Sequence, residues 1–303
     1  MGSAGSAWRD IRYSVITPCL NAGHTIGLQL EALAAQEFPE AWEMVVVDNG
    51  STDDTLAVVE RYRGRIPQLR VVDASQMPRC IAHARNVGVE AARAPMLLFV
   101  DADDEIAPGW LAAMGSALER HGLVGCRIEY RKLNPAWGRD HALQPQQHGL
   151  ADEYGFKPYC TSCGMGVRRD LHELVGGFDR SYRRLEDIDY CWRIQIAGRV
   201  TPGFVPEALL HYRLRQTSAA VFHQSVDWGF DEIFLYQRFA RFGFTLPPWS
   251  PAGSWQRSAD YGRELMELLP TLRDECDQLA WWKWAGYYVG CMEGCDAYGF
   301  ERP

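Results

Sequence analysis

The sequence predicts an α/β fold, a doubly wound and mostly parallel sheet flanked by helices and followed by a helical C-terminal extension. Three observations carry that reading. Short apolar runs recur at the pitch of strand–helix–strand units. The fourth of them, Leu97-Leu98-Phe99-Val100, ends abruptly in Asp101, Asp103 and Asp104. From about Thr217 the pattern changes to long helical and aromatic segments.

The elements follow in order. Residues 1 to 11 are small and polar, which reads as a frayed tail. Tyr13–Thr17 is a strand stopped by Pro18, and Asn21 can cap a helix with the stripe Ile26, Leu30, Leu33, Ala34. Met44–Asp48 is a second buried strand. It breaks at Asn49-Gly50, and Ser51 with Asp54 reads as a capping box opening a helix that buries Val58, Val59 and Tyr62. Leu69–Val72 is a third strand and Cys80–Ala92 a third helix. Pro108 can open the helix after the acidic turn, where Asp104 or Glu105 as a cap is the plain alternative. Gly122–Tyr130 reads as a strand outside the strict alternation, residues 133 to 158 as an excursion or lid, and Cys163–Val167 as a short strand. Asp170 caps a brief helix closed by Gly176-Gly177, Leu185–Ala197 is amphipathic, and Val200–Leu210 is strand-like. After the linker marked by Pro247, Pro248 and Pro251, helices are expected near 255–269 and 272–298.

Composition bounds the function. The 303 residues, 47% hydrophobic and 23% charged, suffice for a sizeable core and one to two domains. A net charge of −8 argues against a nucleic-acid partner. No apolar run approaches the ~18 residues of a membrane span. There is no signal-peptide pattern, and nine scattered cysteines suit reduced thiols, so a cytoplasmic location is expected.

Three carboxylates within four residues repel one another unless a cation neutralises them. Hard oxygen ligands at the carboxyl end of a strand suit Mn²⁺ or Mg²⁺ together with substrate phosphates. Trp281-Trp282-Lys283-Trp284 with Tyr287 and Tyr288 reads as packing against the sheet domain. A homodimer face or a membrane surface is the alternative, although no cationic face accompanies the run. Cys160 and Cys163 lack a second pair at zinc-finger spacing, and His83, His141, His148 and His172 form no ligand set.

Five motifs in register resemble family 2 glycosyltransferases: Ser14–Asn21, Val46–Asp53, Ala84–Gly88, Asp101-Ala102-Asp103-Asp104, and Gly176–Asp179 followed by Glu186-Asp187-x-Asp189. The resemblance implies a GT-A fold over residues 12–218, with a nucleotide-binding half at about 12–104 and an acceptor half at about 105–218, and residues 219–303 as an extension. It also implies a metal-dependent inverting transfer of sugar from a nucleotide-diphosphate sugar to an acceptor hydroxyl or amine. The donor expected first is a UDP-sugar, with TDP and GDP as alternatives, and the acceptor a glycan, a lipid-linked or a small molecule. In this resemblance Asp101 approaches the ribose, Asp103 holds the metal, and Pro18, Asn21 and Ala102 shape the donor pocket. Asp48 and Asn49 lie where the base is read. Arg79 or Arg85 approaches the nucleotide, with a helix-surface ion pair as the other reading for Arg85.

Asp187 is similar to the family's general base, and Glu186 to its acceptor-binding neighbour. Asp189 and Arg193, four apart on a helix, read as an ion pair. His211 is read either as a metal ligand or diphosphate contact or as a buried, hydrogen-bonded histidine, and Arg213 and Arg215 suit a diphosphate. Leu20 departs from the aromatic residue many relatives use to stack on the base. A noncatalytic nucleotide-sugar or glycan-binding relative, or a Mg-dependent nucleotidyltransferase, is the alternative class. Intact Asp101, Asp103 and Asp187 speak against the first, and the missing Gly-Lys-Ser/Thr loop against the second.

Overall fold

A computed structural model describes residues 11–66, 68–77, 79–136, 144–248, 250–253 and 255–299. The alternating part forms β1 (Tyr13–Cys19), α1 (Ile26–Ala34), β2 (Trp42–Asp48), α2 (Thr55–Glu60), β3 (Leu69–Asp73), α3 (Ile81–Ala91) and β4 (Met96–Val100). Next come β5 (Glu105–Ile106), α4 (Trp110–His121), β6 (Leu123–Glu129), β7 (Gly164–Arg168), α5 (Arg169–Val175), α6 (Glu186–Gly198) and β8 (Gly203–His211). The C-terminal helices are α7 (Ser218–Phe239), α8 (Trp255–Leu268) and α9 (Glu275–Tyr298).

All eight strands join one sheet in the order β3-β2-β1-β4-β7-β6-β8-β5. Strands β3, β2, β1 and β4 pair in parallel, and so do β6 and β8, while β7 and β5 run antiparallel to their neighbours. Strands β1, β2 and β4 are buried on both faces, as parallel strands between helices require, while the edge strand β3 is largely half-buried. Val15, Val46 and Leu98 join the core on one face, and Ile16, Val47 and Phe99 the core on the other. The chain winds from β1 outward to β2 and β3, then crosses back to place β4 on the other side of β1. That reversal opens a crevice at the carboxyl ends of β1 and β4, where ligands of open α/β sheets bind.

Several local expectations are corrected. Strand β1 runs through Pro18 to Cys19, because pairing with β4 ends at Ile16 and a ladder remains only on the β2 side. Asn21 does not cap α1. Its backbone is left-handed (φ 51°), and its side-chain oxygen accepts from the Thr52 N–H at 2.8 Å, lacing the loop after β1 to the loop after β2. Ser51 and Asp54 form no capping box: Asp53 accepts from the Thr55 N–H, and Ser51 accepts from the Asn21 N–H. Pro108 does not open α4, because Glu105 and Ile106 are drawn into β5 and the left-handed Gly109 (φ 80°) precedes the first turn instead. Asp170 lies inside the first turn of α5, paired with Arg168. Of the tail, 1–10 lie outside the described residues and Ile11 is buried.

The segment read as a lid is pinned down where it is described, residues 137–143 and with them His141 lying outside. Gln146 bonds the backbone of Cys126 and Thr161, Trp192 donates to the Lys157 carbonyl at 2.9 Å, and Ala151 pairs with Tyr159.

Helices α7 and α9 cross at backbone contact distance. A Cβ on Gly290 would stand 2.0 Å from the Val226 carbonyl oxygen, and one on Gly286 2.4 Å from that of Phe222. Only glycine permits so close a crossing. The seam turns part of the tryptophan run toward the sheet domain rather than toward solvent.

Candidate functional site

The crevice widens into a cavity of about 620 Å³ at the carboxyl ends of β1 and β4, extending under α6 and the C-terminal helices. Pro18, Leu20 and Asn21 enter it from the loop after β1, and Asp101, Ala102 and Asp103 from the turn after β4. Leu20 is half-exposed at its rim. One carboxylate oxygen from each of Asp101, Asp103 and Asp104 lies within 4.8 Å of the others. Asp104 is buried. One of its oxygens accepts from the Arg213 N–H at 2.8 Å, and the other has no hydrogen-bond partner. Burial raises the Asp104 carboxyl well above its ordinary range, and the neighbouring charges of Asp103 and Asp101 raise it further. Asp103 is raised by the same causes, against the pull of Arg215.

Arg85 ties the two acidic motifs together. It leaves α3 fully buried, donates to Asp101 at 2.9 Å and makes a second, very short bond to Glu186. It is therefore no surface ion pair. Burial works to lower its pKa, but the charges of Asp101, Glu186 and Asp187 prevail and hold it above the ordinary value. The next residue, Asn86, accepts from the Phe178 N–H at 2.9 Å and donates to its carbonyl at 2.8 Å. This holds the left-handed Gly176-Gly177 turn against α3 and sets the approach to α6.

Helix α6 presents Glu186 and Asp187 in its first turn, both lining the cavity. Asp187 accepts from the N–H groups of Ser162 at 3.1 Å and Ile188 at 2.9 Å. Burial nevertheless raises its carboxyl, the Ser162 N–H and Arg85 only partly opposing the shift. Glu186 is also raised, again by burial first, with Arg85 pulling the other way. Asp189 is buried and paired with Arg193 at 2.7 Å, and Arg238 reaches it from α7 at 3.1 Å. The ion pair read from the sequence is present.

Arg213 and Arg215 line the cavity beyond β8. Arg213 donates to the Asp103 carbonyl at 2.8 Å, and Arg215 to the Asp103 carboxylate at 3.0 Å. His211 does not join them. Strand β8 ends there, its ring nitrogen bonds Glu129, and it lies outside both the cavity lining and the acidic cluster. Asp48, Asn49 and Arg79 also stand outside the lining. Asp48 accepts from the Ser51 N–H at 3.0 Å, and the exposed Arg79 donates to the Ser75 carbonyl at 3.0 Å. Cys160 and Cys163 are buried free thiols, and the acidic cluster is the one candidate metal group among the described residues.

Sequence reasoning gave the helical tail a part in choosing the acceptor but named no site residue in it. Trp228 of α7 and Lys283, Trp284 and Tyr287 of α9 line the cavity. Asp231 of α7 accepts from the N–H groups of Arg183, Arg184 and Leu185 at 2.9, 2.6 and 3.0 Å, clamping the chain just before Glu186. The signals were a carboxylate inside the stripe Phe230, Ile233, Phe234 and a lysine inside a tryptophan run. No described helix is long and apolar enough to cross a membrane.

Comparisons with known proteins give the family and the fold. The family described as glycosyl transferase family 2 matches residues 14–176, more than half of the chain. The chain belongs to that family. The relatives it resembles are named glycosyltransferases. It is 37% identical over 125 residues to poly(ribitol-phosphate) beta-N-acetylglucosaminyltransferase TarS of Staphylococcus aureus, a match covering 41% of this chain but only 22% of TarS. It is 34% identical over 231 residues to the uncharacterised glycosyltransferase YibD of Escherichia coli, covering 70% of this chain and 64% of YibD. Among solved structures, mannosyltransferase PcManGT from Pyrobaculum calidifontis, in complex with GDP-Man and Mn²⁺, superposes with a TM-score of 0.62 at 20% identity over 95% of this chain and 88% of that one. Residues 1–349 of TarS in complex with UDP-GlcNAc superpose with a TM-score of 0.56 at 19% identity, covering 95% and 92%. These likenesses show the fold, a GT-A arrangement with helices added at the C-terminus.

Proposed function

We propose that the protein transfers a sugar from a nucleotide-diphosphate sugar to an acceptor hydroxyl or amine with inversion at the sugar carbon. The observation that carries this reading is Arg85, which holds Asp101 and Glu186 at one cavity and so brings the two acidic motifs face to face. Asp101, Asp103, Arg213 and Arg215 make the donor wall, and Glu186 and Asp187 face the acceptor. That TarS is described with UDP-GlcNAc and PcManGT with GDP-Man supports a nucleotide sugar as donor, a UDP-sugar being tested first.

The residues fit a divalent cation. Three carboxylates converge, and the partnerless buried oxygen of Asp104 awaits a positive charge. Asp103 with Asp104 and Asp101 would hold Mn²⁺ or Mg²⁺, and PcManGT is described with Mn²⁺. Such an ion supplies Lewis-acid neutralisation of the charge that develops on the diphosphate. Arg213 and Arg215 add forked donors on the same side. Asp187 takes the proton from the acceptor as its oxygen or nitrogen bonds to the sugar carbon and the bond to the diphosphate breaks. Burial makes Asp187 a better base than an exposed carboxylate. We assign residues 12–218 to the transferase unit and 219–303 to an accessory layer that closes its acceptor side.

Release of nucleoside diphosphate from a panel of UDP-, TDP- and GDP-sugars, with Mn²⁺, with Mg²⁺ and with chelator, tests the proposal. Metal-dependent release from one donor class is expected. No release from any donor, with or without acceptor extracts, refutes it.

A further inference from the structure

Lys283 is the cation that the transfer mechanism leaves unexplained. It projects from α9, is 8% exposed, and lines the cavity. The arginines of the lining are bound to protein oxygens: Arg85 to Asp101 and Glu186, Arg213 and Arg215 to Asp103, and Arg184 to Asp227 at 3.5 Å. Lys283 has no hydrogen-bond or carboxylate partner among the described residues. Its one recorded contact is the ring of Trp284, 5.1 Å from the ammonium nitrogen. An ammonium held in so enclosed a place without a protein partner favours a ligand that supplies one. Burial alone lowers its pKa, to about 8, so the amine is largely protonated at neutral pH. The cavity that Lys283 lines is also lined by the aromatic rings of Trp284 and Tyr287 on α9, Trp228 on α7 and Tyr154 from the pinned segment. Flat apolar rings with one buried charge describe a subsite for a ligand that presents an apolar face and a single anionic group.

We propose that Lys283 is the specificity residue of the acceptor subsite and that the acceptor carries an oxyanion, a phosphate ester or a carboxylate, next to the group that receives the sugar. The proposal rests on the sugar-transfer reading for the word acceptor, but not for the binding event. The ligand's negative charge supplies the partner that Lys283 lacks, while the rings hold its carbon skeleton. The acidic residues Glu186 and Asp187 line the same cavity and repel an anion, which leaves Lys283 as the group that receives it.

Tryptophan fluorescence of the full chain tests this with glycerol 3-phosphate and glucuronic acid as probes, and glycerol and methyl glucoside as their neutral counterparts. The wild type is expected to bind the charged member of at least one pair tenfold or more tighter. Lys283→Met erases that preference and Lys283→Arg keeps it, while an unchanged midpoint of denaturant unfolding shows that both variants fold. The responding pair tells phosphate from carboxylate. Equal binding of charged and neutral probes to the wild type, or no binding of any, overturns the proposal. So does a preference that survives Lys283→Met, or a nucleoside diphosphate affinity that falls with it, which gives the lysine to the donor. Charge-selective binding lost in Lys283→Met, in a protein that hydrolyses no nucleotide sugar, supports the subsite and removes the transferase reading.

Discussion

On the wall we assign to the donor each arginine meets a protein oxygen; on the wall built by α7 and α9, Lys283 meets only an aromatic ring among the described residues. The donor wall is thus organised before ligand arrives, its carboxylates held by Arg85 and Arg215 at fixed positions. Preorganised charge costs no rearrangement when new charge develops, which is the condition for stabilising a leaving diphosphate. The opposite wall is rigid in its packing, through the glycine seam of α7 and α9, but unfinished in its electrostatics. The contrast teaches that one wall sets its arginines on its own acidic residues and leaves a buried Asp104 oxygen unpartnered, while the other holds a lysine that no described carboxylate balances.

The largest expected effect tests the boundary between the walls. Asp187→Asn lowers acceptor-dependent transfer by about 10²–10⁴-fold, the usual contribution of a general base, with donor affinity unchanged by calorimetry. Because burial raises the Asp187 carboxyl and the base must be unprotonated, kcat/KM rises with pH through a value above the ordinary 3.8 of an aspartate. The Asn variant lacks that acidic limb; a profile unchanged in shape assigns the proton to another group. Removing the tie comes next. Arg85→Met leaves Asp101 and Glu186 facing each other without compensation, and a loss of about 3–5 kcal/mol in denaturant unfolding is expected from breaking a buried pair. Asp103→Asn breaks the donor wall alone: metal-dependent donor affinity falls about 100-fold, on the scale of losing one electrostatic stabiliser, and added chelator then changes nothing. The last change addresses the wall of α7 and α9 alone. Gly290→Val pushes α9 from α7 and costs about 3 kcal/mol, at the upper end for overpacking. Probe binding at Lys283 weakens while nucleoside diphosphate binding holds, and equal loss at both walls refutes their separation.

Legibility followed the range of the interactions. Strands β2 and β4 were the most readable because burial on both faces writes itself as uninterrupted Met, Val, Leu and Phe runs, and the acidic turn after Val100 stood out against them. Asp101, Asp103, Glu186 and Asp187 were found through motifs in register, and all four line one cavity. Turn details failed. Pro18, Asn21, Ser51 and Pro108 were assigned by local propensity, and tertiary hydrogen bonds or strand pairing overrode each. His211 was read either as a ligand beside Arg213 and Arg215 or as a buried, hydrogen-bonded histidine. The strand that would have aligned them ends at His211, and Glu129 takes its ring.

By itself the sequence determined the alternation of strands and helices, the family and the acidic residues at the strand ends, because these rest on periodicity and on neighbours close along the chain. Only the tertiary structure decided that Arg85 joins Asp101 to a glutamate 101 positions away, that Asp231 clamps the start of α6, and that Lys283 faces the cavity with an aromatic ring for company. Such meetings depend on the order of strands in the sheet and on how closely two helices cross. Neither quantity leaves a periodic trace in the chain, so the partners of a buried charge become known only when the fold brings them together.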